Sequence, residues 1–313
     1  MSFRTSNDRI LGIDLGGTKI FGGLVDPFGA IEHETYVAHG AGPDTTDDRV
    51  FERLVELVHT LAGEALAAGC KVRGVGVGAP GITRTDGTVV ASAQLGWREM
   101  PLASRLTQRL SLPVRVENDV NLAALGELHF GAGRGSKDIV CISPGTGIGG
   151  AVIVNGKLVR GHHDAAGEVG LMLPGPQFLG WRNREWGPLE EIASGTGIAQ
   201  RGRKAIQDQG LPLPPDGMRA EDVFAAATEG ASWAIALIEE TIDYLAVAVA
   251  NVQSLLDPER IILGGGIASA ADRIIPGIEK RLEPLMPMVP LIVRSQLGYR
   301  AGVLGAAAAL TDT

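Results

Sequence analysis

Apolar residues in this chain fall into short runs that stop at glycine, separated by longer stretches in which apolar positions recur every three or four residues. The first run covers 9–15, meets Gly16-Gly17 and resumes over 20–25, which predicts a strand, a tight turn and a second strand. Residues 30–37 can add a third strand. Over 47–68, Val50, Leu54, Leu57, Val58, Leu61 and Leu66 keep near-helical spacing, with Thr46 or Asp47 as N-cap. Strands are predicted at 72–78, 88–91 and 114–117, and helices over 101–110 and 119–130. After the glycines at 131–135 the order restarts: a strand over 139–143, a glycine turn over 144–150 and a strand over 151–154. One unit used twice reads as two related halves. Pro174, Pro176, Pro188, Pro212, Pro214 and Pro215 mark 155–215 as loop-rich, 222–256 reads as helix, 260–263 as strand and 304–310 as an alanine-rich helix.

Composition narrows the function classes. Glycine supplies 44 of 313 residues, about twice the ~7% of average usage, and it is clustered, as in loops that approach a ligand closely. A formal net charge of −8 argues against a sequence-independent grip on nucleic acid or on an anionic membrane. Two cysteines, Cys70 and Cys141, cannot build a disulfide framework, and Cys141 lies in an apolar strand as a small core residue. No basic segment followed by an apolar one opens the chain, so a cytoplasmic location is expected. The apolar stretch 231–256 is interrupted by Glu239, Glu240 and Asp243 and reads as a buried helix, not a membrane span.

Three loops and one carboxylate motif could carry chemistry. Asp14-Leu-Gly16-Gly17-Thr18-Lys19 puts a carboxylate at a strand end beside two residues without Cβ, a hydroxyl and an ammonium. Such a turn can lay N–H groups against phosphate oxygens while the carboxylate holds hydrated Mg²⁺, or it can be a plain hairpin; the spacing of a Walker A loop is absent. Gly145-Thr146-Gly147 and Gly264-Gly265-Gly266 are two further close-approach loops, and together the three suit a nucleotide. In Glu117-Asn118-Asp119-Val120-Asn121, Asp119 is either a general base for an alcohol or a helix N-cap. His162-His163-Asp164 is set aside as a metal site, because adjacent side chains rarely face one ion.

In their order, Asp14–Lys19, Gly78-Ala-Pro-Gly81, Glu117–Asn121, Pro144–Gly150, Ala166-Gly-Glu-Val-Gly170, Leu263–Ile267 and Ala301-Gly-Val-Leu-Gly305 resemble the ROK family of sugar kinases and repressors over nearly the whole chain. Leu95-Gly-Trp97 resembles its bacterial glucokinase branch. The resemblance implies an α/β, actin-like and ribonuclease H-like two-domain sugar kinase fold with a cleft between the domains. The expected division is 1–120 with 303–313, and 121–302. It implies ATP and Mg²⁺ as cofactors and a hexose, glucose first, as substrate.

Carried over, Asp119 is the catalytic base for the sugar 6-hydroxyl. Gly81, Gln94, Asn118, Glu168 and Glu190 join Asp119 in binding sugar; Gln94 stands where glucokinases usually have Asn. Asp14 places Mg²⁺ through water, and Gly16, Gly17, Thr18, Lys19, Gly145, Thr146, Gly147, Gly264, Gly265 and Gly266 surround the nucleotide. Many members also hold zinc with one His and three Cys. Here Leu171 stands at the His position and Trp181, Asn183 and Pro188 at the Cys positions, so no zinc is expected, and Trp181 and Trp186 are expected to replace the metal by packing. A homodimer or homotetramer is expected, with neither nucleic acid nor membrane as partner. The alternatives are a kinase for mannose, fructose or N-acetylmannosamine, a non-catalytic sugar-binding regulator, or an ATPase that activates a partner. Against a regulator, the first predicted strand starts at Arg9, which leaves no room for a DNA-binding segment before it.

Overall fold

The computed structural model describes residues 5–38, 47–182, 187–215 and 217–311. β1 (Asp8–Leu15), β2 (Lys19–Val25) and β3 (Ile31–Ala38) form an antiparallel meander, and after α1 (Asp47–Ala67) the strand β4 (Lys71–Ala79) pairs in parallel with β1. A small antiparallel sheet of β5 (Ile82–Thr83), β6 (Val89–Ser92) and β7 (Trp97–Met100) precedes α2 (Leu102–Leu110). β8 (Val114–Asn118) joins β4 in parallel and runs directly into α3 (Asp119–Phe130). There follow β9 (Ile139–Pro144), β10 (Ile148–Val154), β11 (Lys157–Leu158), α4 (Pro188–Ala193), α5 (Gly195–Asp208), α6 (Ala220–Thr228) and α7 (Ser232–Leu256). The last elements are β12 (Arg260–Leu263), α8 (Ala271–Leu282), β13 (Ile292–Arg294) and α9 (Ala301–Thr311).

The two large sheets have the same strand order, β3-β2-β1-β4-β8 and β11-β10-β9-β12-β13, and in each the last two strands join in parallel. The repeat read from the two glycine turns is therefore a repeat of topology. Two compact units emerge: residues 1–135, 152–166 and 296–313, and residues 136–151 and 167–295.

In the first unit, Leu11, Ile13, Leu15, Val75 and Val77 of the sheet bury one face against Leu54, Leu57 and Leu61 of α1 and Leu102 and Leu106 of α2. The other face, with Ile10, Phe21 and Val25, is covered by Val303, Leu304, Ala307 and Leu310 of α9. Each such aliphatic side chain contributes roughly 1.5–3 kcal/mol on burial. α9 crosses α3 at backbone contact: a Cβ on Gly305 would fall on the Leu122 carbonyl, and one on Gly126 on the Ala301 carbonyl. That crossing keeps α3 in the first unit, so its edge lies after Gly135 rather than at the expected 120/121, and Gln296 rather than 303 begins its last segment.

The second unit departs further from the sequence reading. Its 155–215 stretch holds α4 and α5, and 222–256 is two helices divided at Gly230, whose φ of +91° stops α6. The periodicity of α5 is masked by Gly195, Gly197 and Gly202, yet a Cβ on Gly202 would lie 2.6 Å from Val223 Cγ2, so close packing on α6 overrides weak helix propensity. Pro276 inside α8 hid that helix in the same way. The acids of α7 sit on the surface in ion pairs: Glu239 with Arg281 and Arg273, Asp243 with Arg281, and Glu240 with Arg201. No helix among the described residues is long and apolar enough to cross a membrane.

Candidate active site

β1, β4 and β8 run parallel and end together, which places Asp14, Gly78 and Asn118-Asp119 side by side in the first unit. A Cβ on Gly78 would lie 3.3 Å from Asp119 Cα and 3.7 Å from Asp14 Oδ1, and one on Gly302 would lie 3.1 Å from Asp14 Cγ. Glycine at these two positions lets both carboxyl groups share one recess. Part of each residue stays accessible, but the carboxyls are ringed by protein. Desolvation raises Asp14 to about 6; desolvation first, then the Asp14 charge, raises Asp119 to about 7. Among the described residues, no cation offsets either shift.

The N-cap of α3 is Asn118, not Asp119. Asn118 Oδ1 accepts from Asn121 N at 2.9 Å, its Nδ2 donates to the Gly81 carbonyl at 3.1 Å, and Asp119 Oδ1 accepts from Val120 N at 2.9 Å. The cap leaves Asp119 Oδ2 without a bond that the helix itself requires. Gly81 has φ +98°, and the Ala91 carbonyl occupies the space of a Cβ, so only glycine fits there. In the hairpin turn, Gly16 N donates to Lys19 O at 2.9 Å, and Thr18 and Lys19 are exposed. Exposed Gln94 lies over Gly17, its Oε1 3.1 Å from where a Cβ would stand. Gly81, Gln94, Asn118 and Asp119 are thus brought together with Asp14, Gly16 and Gly17.

The second unit holds the other predicted residues. Gly145 N donates to Gly147 O at 2.8 Å, and Gly195 N donates to Gly145 O at 2.7 Å, which ties the turn to the start of α5. Glu190 Oε2 accepts from Ile148 N at 2.7 Å, and a Cβ on Gly147 would come within 2.5 Å of that oxygen. Desolvation raises the Glu190 pKa, partly offset by the Ile148 bond. Glu168, half-buried, begins the 3-10 turn Val169–Leu171.

Gly145, Thr146 and Gly266 line a cavity of about 950 Å³ whose walls also come from α5, α6 and α8. Ala199, Met218, Phe224 and Ile267 form an apolar lining, with Arg203, Arg219 and Arg273 around it. Gly265, at φ +67° with Pro144 backbone where a Cβ would be, shapes the turn into Gly266. An apolar slot beside guanidinium groups suits a planar base with an anionic tail. None of the α5, α6 and α8 residues was found from sequence; the Ser194-Gly195 start of α5, where Ser194 Oγ accepts from Gly197 N at 3.0 Å, was the available signal.

The sequence profile of the ROK family matches residues 10–313. The chain belongs to the ROK family. It is 33% identical over 312 residues to a glucokinase of Streptomyces coelicolor, covering 95% of this chain and 96% of the relative. It is similar to the crystal structure of a ROK family glucokinase from Streptomyces griseus in complex with glucose and AMPPNP, at TM-score 0.79 and 30% identity, covering 96% and 98%. A ROK family transcriptional regulator, a homologue of the E. coli MLC protein, matches at TM-score 0.85 and 26% identity, covering 98% of this chain and 78% of the regulator. The fold is the actin-like α/β fold of ROK sugar kinases.

Within this ROK chain, Leu171 is 60% exposed. Trp181 packs on Phe178 at 5.9 Å between ring centroids, and Phe178 meets Tyr244 of α7 edge-on at 6.1 Å. Asn183 and Trp186 lie outside the described residues, as does Thr46. His162 and His163 stack edge to face at 4.5 Å, and among the described residues no group of three or more His, Cys, Asp or Glu is placed to hold a metal.

Proposed function

We propose that this ROK protein transfers the γ-phosphoryl group of ATP to the 6-hydroxyl of a hexose, with glucose the first candidate. The observation that carries the reading is Asp119: a carboxylate on the first residue of α3, one past the N-cap Asn118 and raised to about 7, where a general base for an alcohol is effective. The hydroxyl oxygen attacks phosphorus, its proton passes to Asp119, the bond from phosphorus to the β–γ bridging oxygen breaks, and ADP leaves. In the first unit Asn118, Gly81 and Gln94 are the candidates for orienting the sugar; in the second, Glu168 and Glu190 are candidate acceptors of hydroxyl protons in charge-assisted bonds.

The second-unit cavity takes the base and ribose, and the turns at Gly145–Gly147 and Gly264–Gly266 approach the phosphates; the Gly16–Lys19 turn, in the first unit, is a further candidate for phosphate contact. Asp14, half-buried and with no cation beside it among the described residues, fits the role of holding hydrated Mg²⁺, which when bound would neutralise phosphate charge. Zinc has no part in this reading, since the chain lacks the family's donors at Leu171, Trp181, Asn183 and Pro188. Two free thiols, Cys70 and Cys141, suit a cytoplasmic location. The homodimer or homotetramer expected for the family is checked by light scattering.

An ADP-release assay with Mg-ATP and a panel of hexoses tests the reading, and sugar-dependent turnover is expected. Exposed Leu171 in place of a polar side chain makes mannose, fructose and N-acetylmannosamine the comparison sugars. The similarity to a regulator favours a second reading, a sugar-binding protein without catalysis; it predicts hexose binding but no turnover in folded protein.

A further inference from the structure

The cavity of the second unit has two chemically different ends. At one end Gly195 N donates to Gly145 O at 2.7 Å, and a Cβ on Gly195 would stand 3.9 Å from Ala220 Cβ, so the glycine turn meets the starts of α5 and α6 there. Thr196, Ala199, Gln200 and Arg203 line the cavity at intervals of three and four residues, which is one face of α5. At ~1.5 Å per residue that face runs about 12 Å from Gly195 to Arg203. At the far end Gly202 packs on Val223 of α6, and Arg203 and Phe224 are the next residues on the two helices. A guanidinium and an aromatic ring therefore bound the same end. Arg203 Nη2 lies 3.9 Å from the position of a Cβ on Gly217. The three guanidiniums around the cavity are not equivalent. Arg219 pairs with Asp222 at 3.6 Å, and Arg273 with Glu239 at 3.6 Å. The Arg203 guanidinium makes no hydrogen bond or ion pair among the described residues. Its fork of N–H donors is open to a ligand.

We propose that Arg203 reads the edge of the base, and that the site therefore takes the 6-oxopurine nucleotides GTP and ITP alongside ATP. The inference rests on the reading of this cavity as the place of base and ribose. With the phosphates at the glycine-turn end, the base lies toward Phe224 and Arg203. Guanine and hypoxanthine present two neighbouring acceptors, O6 and N7, which match the guanidinium fork. Adenine presents N7 beside a 6-amino group, and a guanidinium, which only donates, cannot pair with that group. As phosphoryl donor, GTP is cleaved between its γ-phosphorus and the β–γ bridging oxygen. The hexose hydroxyl takes the phosphoryl group and gives its proton to Asp119, and GDP leaves.

Calorimetry with ADP, GDP and IDP in the presence of Mg²⁺ tests this without turnover. The wild-type protein should bind GDP and IDP at least as tightly as ADP. Arg203→Met should weaken GDP and IDP on the order of 10- to 100-fold and leave ADP within about threefold. Arg203→Gln, whose amide matches N6 and N7 of adenine, should turn the preference toward ADP. Arg203 is exposed, so both variants should fold, and their melting temperatures should stay at the wild-type value. With hexose present, kcat/KM for GTP and ATP should follow the same order, carried by KM with kcat nearly unchanged. Absence of GDP binding in the wild-type protein would overturn the proposal. Equal losses of ADP and GDP in Arg203→Met would overturn it as well, because they mark a cation stacked on the base instead of one reading its edge. So would IDP binding far weaker than GDP, which would place recognition at the 2-amino group that hypoxanthine lacks. GDP binding that depends on Arg203 in a protein that phosphorylates no hexose would remove the kinase reading alone.

Discussion

Asp119 and Asp14 are two carboxyls in one recess, and their shared environment sets how the protein responds to pH. Asp119 moves from 3.8 to about 7 on folding, so between these values the folded chain keeps a proton that the unfolded chain has released. Its contribution to stability is full below pH ~4 and is lost as pH rises through about 7, and Asp14 acts in the same sense up to about 6. Melting of the ligand-free protein should therefore shift to lower temperature between pH 5 and pH 8, and Asp119→Asn should flatten that slope; scanning fluorimetry across about three pH units measures both. Catalysis runs the other way, because only the ionised base accepts a proton: kcat/KM should rise through an apparent pKa near 7. Asp119→Asn should lower kcat by about 10²–10⁴-fold or more while hexose binding, followed by calorimetry, persists. Full activity in that variant would remove Asp119 from the mechanism.

At the scale of elements, what was legible was whatever a local pattern encodes. The strand, glycine turn, strand units showed because apolar runs and paired glycines are neighbours in sequence, and they delivered Asp14, Gly16, Gly17, Gly145 and Thr146 to strand ends. The nucleotide-sized cavity was hidden because its walls come from α5, α6 and α8, where Gly202 and Pro276 serve packing at the expense of helix propensity. The choice left open for Asp119, general base or N-cap, had a similar cause: the sequence offers two good caps in a row, and the exit of the chain from β8 puts the cap on Asn118. Glu190 read as a carboxylate facing a sugar, and its bond to Ile148 N adds a second duty that joins α4 to the β9–β10 turn.

Gly147→Ala would push a methyl group at Glu190 Oε2, so KM for hexose is expected to rise on the order of tenfold with little change in melting temperature. Phe178 also escaped the sequence reading, which looked for Trp181 and Trp186. As the ring between Trp181 and Tyr244 it is worth about 0.5–1.5 kcal/mol per contact, so Phe178→Ala should make the segment around 172–182 faster to cleave in limited proteolysis.

On the scale of the whole molecule, nucleotide binding should stabilise the fold by mass action. Mg-ATP at a hundred times its Kd should add about 2.7 kcal/mol, visible as an upward shift in melting temperature, and a zinc chelator should change neither melting nor turnover. Loss of activity in chelator, reversed by zinc, would contradict the reading of Leu171, Trp181, Asn183 and Pro188. The crossing of α9 on α3 and on the first sheet bears on how the protein is made. Residues 8–130 leave the ribosome early, but the sheet face bearing Ile10, Phe21 and Val25 stays bare until 301–311 have been synthesised. The intervening second unit therefore has time to fold while the first waits with an exposed apolar face. During translation the first unit is the client that a chaperone would have to shield, and it is finished last although it is begun first.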